Sequence, residues 1–429
     1  MEDSMKYLPT RSMATLLGTA AIVVGSVGSA MAQEGELVMI NWLGGAQGEM
    51  MTKLQESFEA KYPGVTVRNV VPQAGGDARG GIRGLLMGGE QADLLINTWP
   101  AFRAELIEAG LILPLDESYD SNNWGDQLGE SWRALSRVNG ENYGVTYTFG
   151  DRSGIWYRTD TMEKAGITPP TTYEDFIGGF SALNDAGITP ISVPAKVWAH
   201  AEWFESLLLR TAGADYMTRL ASGDASWTDD EVKVALQTWQ EMLTANCCDD
   251  GNTMLALDWD ISVDAALKTG DAAYVLMGMW LNTRAKQEYG DTPGEDFNIF
   301  QFPAFGLGHD DESMVDAKEF NVLSSVENRE AADAFISYML TADAAEIMAQ
   351  YGLASPSTDV DPSIYDPVIQ RSVSEVTSAN KLQFVLGDLL PGDLGSEYRV
   401  AMQRFLQDPS DETIEAITAQ LAAVANGVY

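Results

Sequence analysis

Leu37-Val38-Met39-Ile40-Asn41-Trp42 is an apolar run of strand length, and together with the helix and strand after it this run decides the fold. Gln47 to Lys61 comes next, with Met50, Met51, Leu54 and Phe58 spaced along one helix face, and Pro63-Gly64 stops it. Val65-Thr66-Val67-Arg68-Asn69-Val70-Val71 is rich in β-branched residues and reads as a strand. A glycine-rich entry leads to a helix around Ile82 to Met87, and Ala92-Asp93-Leu94-Leu95-Ile96-Asn97 is the next strand. Strands alternating with helices predict an α/β fold, a parallel sheet with helices on both faces. Ligands of such sheets bind beyond the carboxyl ends of the strands. That rule points at Trp42 to Gln47 and at Asn97 to Trp99.

Further along, Asn142-Tyr143-Gly144-Val145-Thr146-Tyr147 is strand-like and runs into Gly154-Ile155-Trp156-Tyr157. Thr168-Pro169-Pro170-Thr171-Thr172 is a turn, and Thr172 caps a helix that begins at Tyr173. From there to Glu288 the pattern is mainly helical. Strands are expected at Phe297 to Phe302 and at Phe320 to Ser324. One helix is expected over Ala331 to Gln350 and a last one over Asp411 to Ala425. No repeat or low-complexity linker interrupts the chain.

At the N-terminus, Lys6 and Arg11 precede an uncharged stretch of small and apolar residues, Ala14 to Val27. Ala30-Met31-Ala32 has the small-x-small pattern of a signal-peptidase site, so cleavage is expected before Gln33. That leaves 429 − 32 = 397 residues, exported to the periplasm and soluble. A chain of that length exceeds what one core supports, so two domains are expected. With no linker between them, the chain should cross from one to the other more than once.

The net charge is −37, from 63 acidic and 26 basic residues. This argues against nucleic acid and anionic lipid, which need a basic surface. The acids are scattered, as on a solvated acidic face, though the same balance would draw a cationic ligand. The two cysteines, Cys247 and Cys248, are adjacent, and their pairing stays open.

Several fragments, in order, carry a resemblance. They are Glu56 to Val65, Ala92-Asp93-Leu94 with Ala109 to Asp116, and Tyr143-Gly144-Val145 with Trp156-Tyr157 and Glu163 to Ile167. Gly270-Asp271-Ala272-Ala273 with Met277-Gly278-Met279-Trp280 completes the set. Over Gln33 to Tyr429 the chain resembles a family 1 extracellular sugar-binding protein of an ABC importer. The glucose- and mannose-type branch is the nearest in likeness, through Trp198 to Glu205, Gly352 to Asp361 and Leu386 to Pro391. The resemblance implies the type II-like, two-lobed periplasmic-binding-protein fold with several hinge crossings. It implies one lobe of 33–148 with 303–350 and another of 149–302 with 351–429. A small carbohydrate or polyol would bind in the cleft of a monomer, and the closed form would dock on membrane permease subunits. No catalytic residue, cofactor or metal is implied.

Matched residue by residue, the implied contacts begin with Trp42 and Gln47, then Asn97, Thr98 and Trp99. Asp151, Arg152 and Trp156 come from the crossing strand. Trp198, His200, Glu202 and Trp203 come from a helix start, Met279 and Trp280 come directly after Gly278, and Lys318 and Glu319 precede Phe320. Such a set suits a sugar, whose hydroxyls both donate and accept and whose C–H faces stack on rings. Two positions depart from the branch. Met279 stands where an acid is usual, and Leu386 where a His is usual. These departures imply a ligand other than a free hexose, such as a glycoside, a sugar alcohol or an organic osmolyte.

Blander readings stand beside these. Most of 11 tryptophans in any fold are packing residues. Asp151 with Arg152 fits an ion pair at the hinge, and Lys318 with Glu319 fits a solvated turn. Asp258, Asp260 and Asp264 lack the glycine pattern of a calcium loop. A polyamine carrier is the alternative, since aromatic boxes with acids suit cations. A glycerol-phosphate ligand is disfavoured, because these loops show too few basic residues. A secreted carbohydrate-active enzyme is a further rival, but no Gly-x-Ser-x-Gly elbow is present and two His are too few for a His-rich zinc site.

Overall fold

The computed structural model describes residues 35–73 and 78–429. The expected export segment, Met1 to Ala32, lies outside the described residues. Among those described, no helix is long and apolar enough to cross a membrane.

Among the described residues twelve strands form in chain order: β1 (Gly35–Ile40), β2 (Val65–Val70), β3 (Leu94–Asn97), β4 (Arg137–Val138), β5 (Glu141–Asn142), β6 (Val145–Asp151), β7 (Gly154–Arg158), β8 (Thr189–Ile191), β9 (Ala272–Leu276), β10 (Phe297–Gln301), β11 (Glu312–Val322) and β12 (Lys381–Phe384). The first five expected elements are present, with helices at Gly45–Lys61 and Ala78–Met87. β1 pairs in parallel with β2 and β3, as the alternation predicts. The large sheet then continues through β11, which runs antiparallel to β3 and β6 and parallel to β12. A second sheet has the order β10-β7-β9-β8.

Each sheet carries its own core. The first core includes Leu37, Met39, Phe58, Leu94, Ile96, Phe320 and Phe335. The second includes Trp203, Phe204, Leu207, Trp239, Tyr274 and Tyr398. The chain passes between them where β6 leads into β7. It passes again along β11, whose Met314 lies in the second core and whose Val315 lies in the first. A third passage comes after β12, where Phe384 belongs to the first core and Val385 to the second. Tyr351, Leu353, Ile369 and Val376, from a segment expected with the second lobe, pack in the first core. The reason is β12, which pairs with Glu312 to Val315 and draws 351–384 to the large sheet.

Two further differences have local causes. The helix expected over Ala331 to Gln350 is two helices, Arg329–Met339 and Ala342–Gln350, because Thr341 caps the second by accepting from the Ala344 N–H. The strands β8 and β9 interrupt the stretch expected to be helical; β9 is buried along its whole length, so it shows no alternation. Thr172 does cap the helix at Tyr173. Cys247 and Cys248 are joined by a disulfide.

Candidate functional site

A cavity of about 770 Å³ lies between the two cores. Its first-lobe wall is built at the carboxyl ends of β1 and β3. These ends sit side by side because Met39 and Ile40 are in register with Leu94 and Leu95. Trp42 lies just beyond β1 and Trp99 just beyond β3; their ring centroids are 4.8 Å apart and tilted by 34°. The Trp42 indole N–H donates to the Ile96 carbonyl at 2.8 Å, which fixes the ring. Gln47 and Thr98 line the same wall.

The second-lobe wall carries Trp198, Trp259 and Trp280. Gly278 is what makes room for the Trp280 ring: a Cβ at that position would collide with the indole. The Arg152 guanidinium occupies the space between two of these rings, 5.3 Å from the Trp198 centroid and 4.8 Å from that of Trp280. It pairs with Glu202, at the first turn of the helix Ala201–Ala212, and with Asp316 at 3.2 Å. This buried cluster is charge-assisted and stacked at once.

Nine of the expected contacts therefore line the cavity: Trp42, Gln47, Thr98, Trp99, Arg152, Trp198, Glu202, Trp280 and Lys318. The other seven do not. Asn97 is buried and bonds Trp99 and Glu319. Asp151 accepts from the Ser153 N–H and the Gln301 amide, and burial pushes its carboxyl up to about 6. It makes no pair with Arg152. Trp156 is core, its indole donating to the Met277 carbonyl at 2.8 Å. Trp203 and Met279 are fully buried core residues. The His200 ring bonds the Arg399 carbonyl, and burial lowers its pKa to about 4. Glu319 pairs with Arg103 at 2.8 Å and accepts from Ser136 and Asn321. Lys318 and Glu319 part company because successive strand residues face opposite sides of the sheet. The same alternation puts Asp316 on the cavity side with Lys318.

The sequence reading misses Arg79, Glu205, Trp259, Asp316, Asp388 and Arg399, which also line the cavity. Arg79 lies over the Trp99 ring, its guanidinium carbon 5.6 Å from the centroid. Glu205 accepts from the N–H groups of Leu386 and Gly387 and from Tyr398. Burial, then the nearby Asp388, pushes its carboxyl up to about 7. Burial also raises Asp388, against the pull of Arg152, Arg399 and Arg79. Glu205 and Asp388 lie in stretches that carry the family likeness, and Asp316 sits two residues before Lys318. Arg399 comes from a helix with no signal of its own.

Among the described residues no group of three His, Cys, Asp or Glu side chains could hold a metal ion. Asp258 bonds Lys196 and the Trp259 N–H, and Asp264 bonds Arg284 and Tyr289.

Two cores joined by repeated passages, with an aromatic cleft between them, define a protein that encloses a small solute. The profile of the bacterial extracellular solute-binding protein family matches residues 44–346, and the chain belongs to that family. It is a binding protein and not an enzyme. It is 23% identical over 328 residues to a probable sugar-binding periplasmic protein of Mesorhizobium japonicum, covering 74% of this chain and 76% of that one. It is 25% identical over 329 residues to AglE, an α-glucosides-binding periplasmic protein of Rhizobium meliloti, covering 72% and 70%. Its fold is similar to that of the bacterial solute receptor AcbH, with a TM-score of 0.79 at 19% identity over 92% of this chain and 99% of that one. AcbH is described as exclusive for β-D-galactopyranose.

Proposed function

We propose that this chain is the receptor of an ABC importer, which captures a sugar or sugar-like polyol or glycoside by cleft closure and delivers it to a membrane permease. One observation carries this reading. Tryptophans face the cavity from both lobes, with hydrogen-bonding side chains between them. Ring faces suit the C–H faces of a sugar, and the polar set reads its hydroxyls. The sugar-binding names of the two relatives agree with it. Export rests on the Lys6 to Ala32 segment, with the cut before Gln33; N-terminal sequencing of the exported protein tests that site. The second lobe is proposed to resume at Val385, a reading supported by Phe384 packing in the first core and Val385 in the second.

A polyamine fits less well. The space between Trp198 and Trp280 already holds a cation, Arg152, which takes up the carboxylate of Glu202 and Oδ2 of Asp316. A thermal-shift screen of sugars, polyols, glycosides, osmolytes and polyamines tests the proposal, because a ligand of the folded state raises the melting point. A carbohydrate is expected to do so. A response to polyamines alone overturns it.

A further inference from the structure

Lys318 is an anomaly. It is 4% exposed, the only lysine among the buried described residues, and it lines the cavity. No hydrogen bond or ion pair reaches its ammonium among the described residues. The side chain is covered by the fold, and its ammonium opens onto the cavity and is not sealed in the core, so a ligand there can reach it. The neighbouring acid on the same face of β11, Asp316, is bonded to Arg152 at 3.2 Å. Glu202 is bonded to Arg152 as well.

The rest of the wall leaves the same remainder. Four cationic groups line the cavity, Arg79, Arg152, Lys318 and Arg399, and four acids, Glu202, Glu205, Asp316 and Asp388. The whole chain has 63 acids against 26 basic residues. The cleft is thus a balanced island on an acidic protein. Asp388 lies in the field of three arginines, and Glu205 takes its hydrogen bonds from two backbone N–H groups and Tyr398. Burial raises the carboxyl of Glu205, which weakens the negative side of the island. The objection that an anion would find too few basic residues came from the loops alone. It fails once Arg79 and Arg399 are seen at the cavity.

We infer that the ligand is a sugar carboxylate, whose carboxylate pairs with the Lys318 ammonium while its ring stacks on the tryptophans. A carboxylate carries the single charge that the Lys318 ammonium can neutralise, and Arg79 and Arg399, which make no ion pair among the described residues, add to the positive side of the same cavity. The inference rests on the carbohydrate reading proposed for the cleft and narrows its ligand to an acidic sugar.

The test titrates the protein with matched pairs: glucose with glucuronate and gluconate, galactose with galacturonate, maltose with maltobionate, and glucose 6-phosphate besides. An acid is expected to bind at least tenfold more tightly than its neutral partner. Lys318→Met should remove at least that tenfold advantage of the acid over its neutral partner, and Lys318→Arg should restore part of it. Neutral sugars binding as tightly as acids, or the phosphate binding in place of the carboxylates, overturns the inference and leaves the carbohydrate reading standing. If neither the acids nor the neutral sugars bind, both fall.

Discussion

The two walls of the cleft use tryptophan differently. On the first lobe, Trp42 and Trp99 lie against each other at a tilt, with Arg79 over the Trp99 ring, and Trp42 is held by a single bond to Ile96. On the second lobe, Trp198 and Trp280 hold Arg152, which is itself neutralised by Glu202 and Asp316. Each wall lays an arginine on tryptophan, but only the arginine of the second wall is tied by ion pairs to acids of the protein. Aromatic residues in a cleft are therefore not equivalent. Changes on the second wall should act on stability, and changes on the first wall on affinity.

The largest expected effect is on the second wall. Arg152→Met strands two buried carboxylates, and the loss should be about 3–5 kcal/mol in urea unfolding. A loss under about 1 kcal/mol would show that Arg152 is a ligand group and not a structural one.

Glu205, behind the same wall, gives the next effect. Its native carboxyl is raised to about 7, above its unfolded value. The sign is set by the protons bound: between the two values the native state holds the proton that the unfolded state has released. The stability it contributes is fully present below the unfolded value and lost as pH rises through about 7. His200 works the other way, with a native value near 4, losing stability as pH falls through it. The difference between wild type and Glu205→Gln isolates the carboxyl. It should change by about 3 kcal/mol between pH 4 and 8, and a flat difference profile refutes it.

On the first wall, Trp42→Ala should weaken ligand binding about thirtyfold, roughly 2 kcal/mol, with little change in unfolding. An unfolding loss as large as that for Arg152→Met would erase the contrast between the walls. The smallest effect is expected at Gln47, which is half-buried at the same wall. Gln47→Ala should cost about 1 kcal/mol of affinity, one hydrogen bond, in the same titration.

Much of this was legible in the sequence. The β1 to β3 alternation, Thr172 and the two first-lobe loops can be read from local patterns, because parallel strands and helix caps leave short-range signals. The contacts that failed did so for one reason. Trp203, His200 and Met279 lie beside true cavity residues in the chain, and Trp156 lies four residues after Arg152; only packing decides which side chain turns inward. Glu319 was separable from Lys318 by strand alternation, but the expected strand began at Phe320, after both. Arg399 and Trp259 reach the cavity by tertiary placement alone, and 351–384 joins the large sheet through β12, whose four residues carry too little pattern to announce it.

The most direct measurement is small-angle scattering of the protein with and without the saccharide that raises its melting point. Closure of the two walls on that molecule should lower the radius of gyration as the site fills. Saturation by a bound saccharide with an unchanged radius would contradict capture between the walls.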